Sequence, residues 1–109
     1  MKVYSLKTCD TCRKTIKELA GAGYEFDVVD IRADGLNDQD IADIVAVFGD
    51  KSVNKASSTW RNLSDVDKAK SPAELIAEHP TAMKRPVIIK DGQFYQGWTA
   101  ATKSALLPG

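Results

Sequence analysis

The chain carries no excess of either charge, since 15 basic residues meet 15 acidic ones, and it has a single histidine. That balance removes the broad basic field by which proteins gather nucleic acid or anionic membrane, so neither direct nucleic-acid binding nor membrane attachment is expected. Long apolar runs are missing too. Stretches such as Ile44-Val45-Ala46-Val47-Phe48 fall far short of the roughly 20 residues that cross a bilayer. The opening Met1-Lys2-Val3-Tyr4-Ser5-Leu6-Lys7 lacks the apolar core of a secretory signal. Together these absences predict a cytoplasmic protein, in a compartment that keeps thiols reduced. Cysteine is scarce, with two residues, Cys9 and Cys12. A reduced Cys pair there points to catalysis or metal binding rather than a structural staple. Zinc normally takes four ligands, and the chain offers no third cysteine and only His79, so a zinc site is disfavoured. His79 itself, just before Pro80, reads as a plain helix-end residue.

The 109 residues suffice for one hydrophobic core, and no linker, repeat or low-complexity segment divides them. Lys2 to Leu6 reads as a first strand. Thr11 to about Ala22 reads as a helix, with Cys12, Ile16, Leu19 and Gly23 on one face and Gly21 and Gly23 at its stop. Tyr24 to Ile31 is rich in β-formers and reads as a second strand, parallel to the first. The middle looks helical. Asn37 is a candidate N-cap before the stripe Ile41, Ile44, Val45 and Phe48, and Gly49 is the stop. Ser64 offers a weaker cap. Ser71-Pro72-Ala73-Glu74 is a strong start signal, and Pro80 closes that helix. Strand character returns at Pro86 to Lys90. Asp91-Gly92 is a hairpin turn, Gln93 to Trp98 the return strand, and Thr99 to Leu107 a closing helix. The expected fold is α/β: a four-stranded mixed sheet from about residues 1–35 and 81–109, with an inserted helical subdomain at about 36–80, all in a single domain of residues 1–109.

The sharpest feature is Cys9-Asp10-Thr11-Cys12 at a strand-to-helix junction. A thiolate, not a thiol, attacks a disulfide or an oxidised centre. A cysteine at a helix N-terminus faces unpaired backbone N–H groups and the positive end of the helix dipole, and both favour S⁻. Arg13 and Lys14 add positive charge, and Asp10 opposes it. The three-residue offset places Cys12 one turn inside the helix, so Cys9 is read as the exposed nucleophile and Cys12 as the buried resolving thiol. Lys84-Arg85-Pro86 is the second feature. Pro86 is either an ordinary edge-strand proline beside two solvated cations or a cis-proline that turns Arg85 toward the cysteine loop.

These segments, Lys7-Thr8-Cys9-Asp10-Thr11-Cys12-Arg13-Lys14, Ser58-Thr59-Trp60-Arg61-Asn62-Leu63, Glu78-His79-Pro80 and Lys84-Arg85-Pro86-Val87-Ile88, together resemble the ArsC/Spx family, and most nearly its YffB type. The resemblance runs over nearly the whole chain in order and spacing. It implies a thioredoxin fold with a helical insertion and favours the cis reading of Pro86. In the family's arsenate reductases one cysteine attacks arsenate and three arginines cradle the oxyanion. Cys9 matches the nucleophile and Arg85 one arginine, Lys55 stands at the second position, and the third falls near Gly97. Those enzymes usually have serine where this chain has Cys12 and rely on glutathione, whereas the Spx regulators use a CxxC as a redox switch. The leading expectation is a thiol-disulfide oxidoreductase, an enzyme whose catalytic residues are Cys9, Cys12 and Arg85. Thr11, Arg13, Lys55, Arg85 and Pro86 would receive the substrate or its anionic group. No bound cofactor or metal is expected, with glutathione as co-substrate and glutaredoxin or thioredoxin as further partners. The alternatives are an Spx-like redox-switched regulator that binds RNA polymerase and an arsenate reductase with an incomplete arginine cradle.

Overall fold

Alternating apolar residues at the start of the chain form β1 (Lys2–Ser5), in which Val3, Tyr4 and Ser5 are all buried. Burial on both faces marks an interior strand, and β1 lies inside the sheet. The computed structural model describes residues 1–107. The chain folds as two compact units, one of Met1–Ile31 with the chain from Arg85 on, the other Arg32–Lys84.

In the first unit, β1 leads through the Cys9 loop into α1 (Asp10–Gly21), and β2 (Asp27–Asp30) returns parallel to β1 with Val3 opposite Val28. β3 (Val87–Lys90) lies antiparallel to β1 with Val3 opposite Ile88. β4 (Gln93–Gln96) closes the edge antiparallel to β3. The order is β2-β1-β3-β4, a four-stranded mixed sheet of thioredoxin-like α/β topology. Asp91 and Gly92 join β3 to β4, both at positive φ (51° and 78°), the backbone that a two-residue hairpin turn requires. The chain closes on a helix, Ala100–Leu106, that starts at Thr99, whose side chain accepts from the Thr102 N–H.

Val3, Leu19, Ile88 and Leu106 form the core of this unit, with Ile16, Tyr24, Phe26, Tyr95 and Trp98 packed against it. Fully burying each aliphatic side chain contributes about 1.5–3 kcal/mol. Two polar tips are satisfied at the edge of this core. The Trp98 indole N–H donates to the Glu18 carboxylate, and the Tyr24 hydroxyl donates to the Leu106 carbonyl. β2 is shorter than the run of β-formers suggested. Tyr24 instead belongs to the turn that stops α1, where its N–H donates to the Leu19 carbonyl at 3.2 Å. Tyr24 and Phe26 spend their aromatic rings on the core rather than on a ladder.

The second unit is helical. α2 (Asp38–Phe48) is capped by Asn37, whose Oδ1 accepts from the Asp40 N–H at 2.7 Å, and it ends at Gly49 with φ 57°. α3 (Ser58–Arg61), α4 (Asp65–Lys68) and α5 (Pro72–Glu78) are short, and each opens on a serine cap: Ser57, Ser64 and Ser71. Such a cap is worth about 1 kcal/mol against alanine. Ile41 and Ile44 of α2 and Leu75 and Ile76 of α5 are buried. A bridge between Val53 and Met83 fastens the later part of this unit to its own end. α3 goes beyond the helices expected here, because four residues are too few for a helical period to show in sequence. Among the described residues no helix is long and apolar enough to cross a membrane.

Candidate active site

The β1–α1 connection decides where the cysteines lie. Cys9 takes the N-cap position in extended backbone (φ −91°, ψ 114°), its N–H donating to the Leu6 carbonyl at 2.9 Å and its own carbonyl accepting from Arg13 N–H at 3.1 Å. The next residues carry the unpaired N–H groups of the first turn. Both cysteines are reduced; Cys9 is partly exposed, and Cys12, one turn further, is wholly buried. Beneath the helix start, the Thr15 hydroxyl donates to the Thr11 carbonyl at 2.7 Å. Thr11 itself is exposed at the helix entrance. The loop is also tied to the sheet. Asp30, buried at the end of β2, accepts from the Lys7 N–H at 3.3 Å. Nothing in the strand pattern of Val28-Val29-Asp30-Ile31 singled out Asp30 for this role.

The electrostatics of the two thiols diverge. Burial alone would raise Cys9. The thiol and backbone N–H of Cys12, followed by a hydrogen bond and the positive charge of Arg85, outweigh it, and its pKa lies below the ordinary thiol value. Cys9 makes no ordinary side-chain cap hydrogen bond, so these donors act by favouring the charged sulfur. Cys12 goes the other way. Burial first, then the neighbouring Cys9, push it up to about 12. Of the two thiols, Cys9 is therefore the one that gives up its proton more readily, and Cys12 the one that keeps it.

Arg85 opens the last stretch of chain, half-buried, and the Arg85–Pro86 peptide is cis. Pro86 is buried, and its carbonyl accepts from the Gly97 N–H at 2.8 Å. Gly97 is itself buried with φ 76°, so the position at which the resemblance puts a third arginine is occupied by backbone. The structure thus brings Cys9, Cys12 and Arg85 together. Arg13 is engaged elsewhere. Its guanidinium pairs with the Asp10 carboxylate on the exposed side of α1, and the two opposing charges expected beside Cys9 largely cancel each other. Lys55 belongs to the second unit, where its ammonium lies 5.5 Å from the Trp60 ring centroid.

The sequence profile of the ArsC family matches residues 4–105. An uncharacterized protein of Haemophilus influenzae is 40% identical over 102 residues, covering 88% of this chain and 89% of its own. The chain belongs to the ArsC family. Within it the YffB protein is a near structural match, with a TM-score of 0.89 at 28% identity over 98% of both chains. An arsenate reductase (ArsC) related protein from Brucella melitensis is also 28% identical, at a TM-score of 0.74, covering 95% of this chain and 91% of that one. The YffB-type assignment and the thioredoxin-like fold read from the sequence therefore stand, and a thiol redox function is the one this ArsC-family site supports.

For this ArsC-family chain, the part played by Arg85 can be separated from that of the helix. Arg85→Ala removes a hydrogen bond and a charge that lower the Cys9 pKa, so the pH midpoint of its alkylation by iodoacetamide is expected to move up, with a several-fold slower reaction at pH 7. Arg85→Lys keeps the charge and should recover most of the shift. A midpoint unchanged in Arg85→Ala would show that Cys12 and the helix start suffice.

Proposed function

We propose that the chain is a thiol-disulfide oxidoreductase, glutathione- or glutaredoxin-linked, that uses Cys9 and Cys12 as a redox pair and acts in the cytoplasm. The observation that carries this reading is the opposite tuning of two neighbouring thiols, Cys9 down and Cys12 up to about 12. The Cys9 thiolate attacks one sulfur of a substrate disulfide. A Cys9–sulfur bond forms, the substrate S–S bond breaks, and the departing thiolate takes up a proton. When the bound half is glutathione, Arg85, the cation beside Cys9, would receive one of its carboxylates. Cys12 then loses its proton and attacks Cys9, releasing glutathione and leaving a Cys9–Cys12 disulfide. Without Cys12, a second glutathione thiolate attacks the glutathione sulfur of the mixed disulfide instead, releasing glutathione disulfide and the Cys9 thiolate. Two external thiols, from glutathione, glutaredoxin or thioredoxin, return the pair to the dithiol.

The electrostatics assist the second step. Part of what holds the proton on Cys12 is the charge and hydrogen bonding of Cys9. Once Cys9 is in a mixed disulfide that charge is gone, and Cys12 becomes more acidic at the moment it must act. Mild oxidation followed by intact-mass analysis is expected to show the loss of two hydrogens, with Cys9 and Cys12 in one linked peptide. The one-turn spacing suits the Cα separation of about 4.4–6.8 Å that a disulfide needs. If only glutathione adducts on Cys9 ever form, Cys12 is no resolving thiol and external glutathione does that work.

A further inference from the structure

The helical unit contains a cavity of about 130 Å³ lined by the Trp60 indole and, on its apolar side, by Val53, Pro72 and Leu75. That is room for a few water-sized groups, at about 30 Å³ each. Two ammonium groups converge on the ring, Lys55 Nζ at 5.5 Å and Lys68 Nζ at 5.8 Å from its centroid. The face of an indole attracts a cation by about 0.5–2 kcal/mol, but it does not neutralise one. Among the described residues neither lysine has a carboxylate at ion-pair distance. Two nearby acids, Asp67 and Glu78, are already engaged. Lys70 holds Asp67 at 3.0 Å and also Glu78, and His79 reaches Asp67 at 3.5 Å. Asp50 lines the same cavity without pairing with either lysine.

Three lysines and Asp50 thus line one small cavity beside a half-buried aromatic ring; Lys70 is held by Asp67 and Glu78, while Lys55 and Lys68 have no acid within ion-pair distance. We propose that the Lys55–Trp60–Lys68 cavity binds the phosphate of a small phosphomonoester, with the organic part of the ligand against Trp60, Pro72 and Leu75. The choice of phosphate follows from the donors. Ammonium groups act as compact point charges, so two of them not paired with acids favour a dianionic phosphate over a monoanionic carboxylate by charge. The site uses neither cysteine nor Arg85. Lys55, which the family resemblance assigns to the oxyanion of the thiol reaction, is set here against Trp60.

Phenyl phosphate titrated at low salt into the ¹⁵N-labelled full chain tests this. The indole N–H of Trp60 and the amides of Lys55 and Lys68 are expected to shift together and saturably, while the Trp98 indole stays still. Lys55→Ala and Lys68→Ala should each weaken the apparent Kd about tenfold, or about 1.4 kcal/mol. Benzoate, the same ring with a planar carboxylate, should bind at least about tenfold more weakly. Dispersed spectra show that the variants fold, both lysines being partly or fully exposed side chains. Cys9→Ser should leave the titration unchanged, so failure of the thiol reaction and failure of this site are told apart. The site is refuted by the absence of a saturable shift at Trp60, by shifts centred on Cys9 and Arg85, by benzoate binding as tightly as phenyl phosphate, or by unchanged affinity in the Lys55→Ala/Lys68→Ala double variant.

Discussion

Replacing Cys9 by serine is expected to lower thiol-disulfide turnover by about a thousandfold or more, the scale seen when an enzyme loses its nucleophile. Serine fills the same space and keeps the N-cap position, which it suits better than cysteine, so folding should be unharmed or slightly improved. What is lost is the sulfur, since a serine hydroxyl does not ionise near neutral pH and cannot form or exchange a disulfide. Cys12→Ser is the informative contrast. It removes a thiol that helps to lower the Cys9 pKa, and it removes the internal resolving group. Its effect should be smaller than that of Cys9→Ser and should shrink as glutathione concentration rises, because glutathione takes over the second step. Steady-state rates of the three proteins against glutathione concentration distinguish the roles. Equal and complete losses in both variants would mean that the two thiols act as one inseparable unit, as in a metal or structural site.

Arsenate is expected to be a poor substrate. An ArsC-type arsenate site with three arginines surrounds the oxyanion with planar forks, and this chain lacks one of them outright. Gly97 occupies that position with a buried backbone at φ 76°, its N–H already given to the Pro86 carbonyl. A second cation, Arg13, is drawn off by Asp10. One missing charge-assisted hydrogen bond costs about 1.5–3 kcal/mol, or about 10- to 150-fold in kcat/KM against a relative with three arginines. Gly97→Arg should not restore it, since a side chain there would have to adopt a left-handed backbone in a buried position, and the variant should be destabilised. Arsenate-dependent oxidation of glutathione, followed through coupled NADPH consumption, measures this. Turnover equal to that of a three-arginine relative would show that Lys55 or another cation replaces the missing group.

Much of this fold was legible in the sequence because its punctuation is chemically strict. Asn37, Ser64 and Ser71 read as caps and are caps, and Asp91-Gly92 reads as a hairpin turn and sits at positive φ in both residues. The cysteine junction was equally plain, since strand, CxxC and helix follow one another without interruption. What escaped was set by longer-range packing. The β-formers Tyr24 and Phe26 looked like strand, but their rings are held by the core and Tyr24 closes a helix turn instead. Ser58–Arg61 is too short to show a helical period. Arg13 looked like a cation for the thiolate, and only the folded side chain shows that Asp10, three residues earlier, claims it. Trp60 served in the sequence as a family marker, and no spacing rule predicts that lysines five residues before it and eight after it each lie close to its ring.

Catalytic turnover at Cys9 is what separates an oxidoreductase from a redox switch. The decisive measurement is the steady-state reduction of a glutathione mixed disulfide, such as that formed from bis(2-hydroxyethyl) disulfide, with glutathione, glutathione reductase and NADPH in excess. The predicted result is many turnovers per protein molecule, dependent on Cys9, with a transient glutathione adduct on Cys9 detectable by mass spectrometry in the Cys12→Ser variant. A single stoichiometric oxidation to the Cys9–Cys12 disulfide with no further turnover, whether glutathione, glutaredoxin or thioredoxin is supplied, would contradict it and leave the pair as a redox switch.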